Sequence, residues 1–132
     1  MREGSWQETR TKFTYIAGVI FVFGSNLAGR HGLGAAKFAR QYYGAKYGIG
    51  RGPTGNAYAL PTKGHSIQTL SLSVIAIYVK EFLKYAADHS DLKFLLTRVG
   101  CGLAGYKDEQ MAPLFRGVTS NVQVPEEWKS YL

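Results

Sequence analysis

Cysteine is nearly absent from this chain: Cys101 stands alone among 132 residues. That excludes an intramolecular disulfide and fits a reducing compartment. No apolar run approaches the ~20 residues of a membrane-spanning helix, so no membrane partner is predicted. The opening MREGSWQETRTK is polar and lacks an apolar signal core, which predicts a protein that is not secreted and is therefore cytoplasmic. His31, His65 and His89 are scattered without ligand spacing, so neither a metal nor another cofactor is expected. Acidic residues are scarce as well, 9 against 16 basic ones, which gives a net charge of +7 and a pI near 9.6. Such a surface favours anionic partners without naming which anion.

Glycine is what the chain has in excess: there are 16. They cluster in Gly24–Gly34, Gly44–Gly55 and Gly100–Gly105, between hydrophobic segments. Loops of that composition pass close to something. Residues 1–12 read as a flexible or edge-pairing arm, and 13–132 as one domain. Val19–Phe23 is a continuous apolar run, as in a strand buried on both faces. A helix is expected over Gly34–Tyr43, with Ala35, Phe38, Ala39 and Tyr42 on one face. Gly44–Gly55 reads as loop throughout, and Ala57–Leu60 as a short strand stopped by Pro61. Ser71 or Ser73 caps a helix that runs to His89 with a stripe through Ile75, Tyr78, Val79, Phe82 and Ala86. A strand follows over Leu92–Val99. Asp108 then caps a short helix, Asn121–Val124 forms a last strand, and a tail holds Trp128. This alternation predicts an α/β fold with helices on the faces of a sheet. Ligands of such sheets bind beyond the carboxyl ends of the strands.

Two loops there carry chemistry. The first holds Gly24, Ser25, Asn26, Arg30, Gly32, Leu33 and Gly34. A strand feeding a glycine loop and then a helix gathers backbone N–H groups at the positive helix end, which suits phosphate. Gly32 and Gly34 let the backbone approach, Asn26 suits a ribose hydroxyl, and Arg30 suits a phosphate. No Walker lysine follows, and the full G-x-G-x-x-G pattern is missing. A structural turn is the alternative. The second loop is Gly100, Cys101, Gly102, Leu103, Ala104, Gly105 and Tyr106, where Tyr106 could stack on a ribose or base. Cys101 has no base assigned to it, so a small buried cysteine is the reading preferred over a nucleophile. Between the loops, Thr62 and Lys63 follow Tyr58-Ala59-Leu60-Pro61 at a strand end, where Lys63 could contact phosphate or act as a nucleophile.

Taken together these segments resemble the macro domain, the ADP-ribose-binding module. The likeness is strongest to its branch of terminal ADP-ribose protein glycohydrolases and the antitoxin that removes ADP-ribose from DNA. Arg30–Ala36 is similar to that family's first phosphate loop, Tyr58–Lys63 to the strand ending in the branch's catalytic lysine, and Arg98–Leu103 to the second phosphate loop. The resemblance implies a three-layer α/β/α sandwich with a mixed central sheet. It also implies that Lys63 attacks the ribose with help from an acid in the second loop. Ala104 stands where that acid is expected, with Asp108 the nearest substitute. Ile16-Ala17-Gly18-Val19 lacks the aspartate that holds adenine in many macro domains. The brevity of the chain fits a reduced version of the kind a phage or mobile element encodes, in which case it acts in the host cytoplasm.

Three functions are therefore expected, in this order: binding or sequestering ADP-ribose or a related NAD-derived nucleotide; ADP-ribosyl hydrolysis through Lys63; and nucleic-acid binding. The last rests on Arg30, Lys37, Arg40, Lys46 and Arg51 interleaved with Tyr42, Tyr43 and Tyr47.

Overall fold

The structure, a computed structural model, describes residues 13–132; the arm read over 1–12 lies outside them. In chain order the elements are β1 (Ile20–Asn26), α1 (Gly34–Tyr42), β2 (Gly52–Thr54), β3 (Ala57–Lys63), α2 (Leu72–Asp88), β4 (Phe94–Leu96), α3 (Asp108–Met111) with a 3-10 turn at Ala112–Phe115, β5 (Val122–Gln123), and a closing 3-10 helix at Glu126–Tyr131. The fold is mixed α/β. Its single described sheet has five strands in the order β2-β3-β1-β4-β5. β3, β1, β4 and β5 are parallel, while β2 runs antiparallel to β3 at one edge.

The apolar run of β1 is buried on both faces. Val22 enters a core with Tyr58, Leu60, Ile75, Val79, Phe82 and Phe94. Phe21 and Phe23 enter a second core with Ala36, Ala39 and Tyr43 of the α1 segment. This alternation is the two-residue period of a strand read against helices on both sides. α2 forms as its stripe dictates, burying Ile75, Val79, Phe82 and Ala86, and the Ser71 hydroxyl accepts from the Val74 N–H at 3.3 Å.

Several boundaries differ from the sequence reading. Gly44–Gly55 is not loop throughout, because Gly55-Asn56 turns the chain so that Thr54 pairs with Ala57 and Gly52 with Ala59. Gly55 adopts φ +60 there, as the first residue of a tight hairpin turn demands. Pro61 does not stop β3. It lies past the last residue paired with β2, so no ladder bond to that strand is lost. The third strand is shorter than Leu92–Val99: both the N–H and the hydroxyl of Thr97 donate to the Val22 carbonyl, at 3.2 and 2.7 Å, and end the ladder. The last strand shrinks to Val122–Gln123, since the Asn121 amide instead donates to the Ala86, His89 and Leu92 carbonyls at the end of α2. Asp108 is the first residue of α3 and not its cap, a role taken over by the Gln110 side chain reaching back to the Lys107 N–H. Trp128 is fully buried against Phe115.

Candidate functional site

Because β3, β1 and β4 are parallel neighbours, their carboxyl ends share one rim. The first loop leaves β1 there, Lys63 ends β3 there, and the second loop follows β4. The connection after β1 enters the core of Phe21 and Phe23 through α1, whereas α2 and α3 pack into the core of Val22. Neighbouring strands whose connections part to opposite faces leave a crevice at their carboxyl ends. The strand ends come together at Gly24, where an added Cβ would stand 3.5 Å from both the Gly100 nitrogen and the Thr62 hydroxyl.

Gly24, Ser25 and Asn26 belong to β1, so the first loop proper begins at Leu27. Its shape is set by backbone against backbone. The Gly48 N–H donates to the Gly29 carbonyl at 2.8 Å, and the buried Ser25 hydroxyl donates to the Gly50 carbonyl. A Cβ on Gly29 would lie 2.2 Å from Gly48, and one on Gly50 would lie 2.0 Å from the Asn26 carbonyl oxygen. The Asn26 amide closes the loop on itself: its nitrogen donates to the Arg30 carbonyl and its oxygen accepts the Arg30 N–H, both at 2.9 Å. Among the described residues, one N–H and one lone pair of that amide have no partner. His31 is wholly buried beneath the loop, edge-on to Phe23 at 5.2 Å, and neither ring nitrogen has a hydrogen-bond partner. Burial pushes its pKa below 6.5, with Arg40 adding to the effect and the Ile49 backbone opposing it.

α1 starts beyond this loop with little to cap it. Leu33 offers no side-chain acceptor and the first turn has no acid, so the first N–H groups of the helix have no side-chain cap. The surrounding charge has one sign. No Asp or Glu stands between Glu8 and Glu81, while Arg30, Lys37, Arg40 and Lys46 are exposed. Among the described residues neither Arg30 nor Lys63 forms an ion pair. Arg51 does, with Glu81, and lies 5.0 Å from the centre of the Tyr78 ring. Tyr43 is buried, whereas Tyr42 and Tyr47 are exposed.

The second loop is held by side chains. Asp108 accepts from the Arg98 Nε at 2.9 Å, from Arg98 Nη2 at 2.8 Å, and from the Trp128 Nε1 at 2.7 Å. The Arg98 guanidinium keeps the Asp108 carboxyl below the usual carboxylate range, with the Trp128 N–H assisting. Tyr106 does not stand free at the lip: its hydroxyl donates to the Leu70 carbonyl at 2.6 Å and its ring packs on the core. The Ala104 carbonyl accepts from the Thr69 hydroxyl at 3.2 Å. Cys101 is half-buried, and burial together with Asp108 pushes its thiol up to about 12, so it is a thiol and not a thiolate at neutral pH. Leu33 and Leu103 are exposed at the two loop tips.

Sequence reasoning missed three parts of this arrangement. The glycines from Gly44 to Gly55 were legible as close-packing residues, but their partner, the first loop, was not. Arg98 and Asp108 flank a glycine loop with opposite charges, a signal that was present and unread. The strap from Gly64 to Leu70, which the Thr69 and Tyr106 bonds tie to the second loop, carries only one local mark, Ile67 at φ 65; a β-branched side chain there is strained.

Comparison with known proteins yields no match: no family model, no curated protein and no solved structure is similar to the chain. Among the described residues no helix is long and apolar enough to cross a membrane, and no three His, Cys, Asp or Glu side chains converge as metal ligands.

Proposed function

We propose that the chain is a macro-like, three-layer α/β/α domain that binds ADP-ribose or a related NAD-derived nucleotide, with its phosphates between the two glycine loops. One observation carries this reading. Gly32 and Gly102 are the two described glycines at which an added Cβ would meet nothing within 4 Å and φ lies outside the left-handed region. Folding does not require glycine at either place. Both positions fall in the loops of the shared rim, where a missing side chain gives a phosphate access to backbone N–H groups. The uncapped start of α1 and the acid-free stretch around it support the same reading.

Holding is favoured over hydrolysis. Ala104 provides no acid, and the carboxylate of Asp108 is occupied by Arg98 and Trp128, which leaves Lys63 without an assisting group. Calorimetric titration with ADP-ribose, its cyclic isomers, NAD and AMP tests the proposal. Micromolar or tighter binding to one of them, lost in Gly32→Val and Gly102→Val, is the expected result. Retained binding in both variants would remove the phosphate-loop assignment.

A second reading, nucleic-acid binding, is favoured by the same acid-free stretch together with exposed Tyr42 and Tyr47. It requires oligonucleotide affinity well above that for heparin and a steep loss with salt.

A further inference from the structure

The C-terminal turn has no part in the nucleotide reading, yet it is joined to the second loop through a single carboxylate. Arg98 stands immediately before that loop and Asp108 just after it, and their two-pronged pair closes the loop at its base. Trp128, fully buried in the closing 3-10 helix, donates its indole N–H to the same Asp108 oxygen that accepts the Arg98 Nε. Glu127 adds a longer contact to the Arg98 Nη1 at 3.8 Å. From below, the loop is pinned by Met111, whose sulfur would lie 2.7 Å from a Cβ on Gly100.

We propose that Arg98, Asp108 and Trp128 form a clasp that positions the second loop, so that the C-terminal turn is part of the anion site and Asp108 is a positioning residue and not a general acid. The pair is charge-assisted and bidentate, which fixes the separation and the mutual orientation of the loop ends. The tryptophan in turn fixes the carboxylate, because its ring is held by Phe115 at 5.2 Å. A loop so closed keeps its N–H groups in place before any ligand arrives, and less ordering is left for binding to oppose. The clasp itself is independent of ligand identity; its bearing on affinity rests on the nucleotide reading above.

The test uses the full chain with Asp108→Asn, Arg98→Lys and Trp128→Phe, the last of which keeps an aromatic ring while removing the donor together with part of the buried indole. Amide hydrogen exchange of residues 100–106 in the ligand-free protein decides the clasp. Exchange should quicken ~10- to 100-fold in Asp108→Asn and rise to a smaller degree in Arg98→Lys and Trp128→Phe, with α1 and α2 unchanged. Unchanged exchange in the loop would overturn the proposal. So would an equal rise throughout α2, since the contacts would then support the whole fold and not the loop. Titration with ADP-ribose decides the other question. Weaker binding in step with exchange joins the clasp to the site, whereas a wild-type protein that binds nothing, with exchange still raised in the variants, rejects the nucleotide reading alone.

Discussion

The two loops on the rim follow neighbouring parallel strands, yet they are held by opposite means. The first is shaped by backbone against backbone, where Gly29 meets Gly48 and Gly50 meets the Asn26 carbonyl, with only the uncharged side chains of Ser25 and Asn26 adding hydrogen bonds. The second is shaped by side chains, with Arg98 and Asp108 at its base, Trp128 behind them, and Thr69 and Tyr106 tying it to the neighbouring strap. A backbone interface tolerates no added atom but needs no charge. A side-chain clasp depends on ionisation. The first loop is therefore sensitive to size and the second to electrostatics.

The largest effect is expected where size decides. Gly50→Val places a branched side chain onto the Asn26 carbonyl, and Gly29→Val does the same to Gly48. Each should lower stability by ~4 kcal/mol or more, read from the denaturant midpoint. A loss under ~1 kcal/mol at both sites would show that the two segments part easily, and the contrast with the second loop would collapse.

Next comes the electrostatic side of the comparison. Asp108→Asn removes the charge from the clasp and should cost about 2 kcal/mol by the same measurement. Addition of 1 M salt should shrink that difference only slightly, because Asp108 is partly buried and its partners are in direct contact.

A smaller effect separates the loops by pH. His31 is buried without partners and its folded pKa lies below 6.5, so the unfolded chain takes up the proton first. Stability is then full above pH 6.5 and falls as the pH drops through that value toward the lowered folded pKa. Protection factors for hydrogen exchange, corrected for the intrinsic pH dependence of the rate, should fall over residues 27–34 in that range while those of residues 100–106 hold. The Asp108 carboxyl is held below its ordinary value of 3.8, so the clasp stays charged there. His31→Phe should abolish the slope; a slope that persists would assign it to another group.

The smallest change in stability is expected at Gly32→Val and Gly102→Val, within ~0.5 kcal/mol of wild type, since both Cβ positions are open. That near-neutrality is what gives their binding test its meaning. A large destabilisation at either would mean that the fold, and not a ligand, asks for glycine there.

Much of the fold was legible from residue order alone. The apolar run of β1, the stripe of α2 with a serine cap at Ser71 or Ser73, and the placement of both glycine loops at strand ends follow from burial period and capping chemistry, which act over a few residues. The short range of those rules is also why boundaries slipped. Pro61 stays in β3 because β2 has already ended, and Thr97 leaves β4 because a carbonyl from β1 captures it. Neither neighbour is visible along the chain. The same limit governs the site. Sequence determined which loops would be glycine-rich and that α1 would lie in a stretch without acids. Tertiary structure alone decided that the glycines from Gly48 to Gly50 serve the first loop, that Asp108 belongs to Arg98 and Trp128, and that Gly32 and Gly102, among the described glycines, combine open space with a φ outside the left-handed region. Those outcomes are contacts between segments distant in the chain, and propensity carries no information about which distant atom will fill a given space.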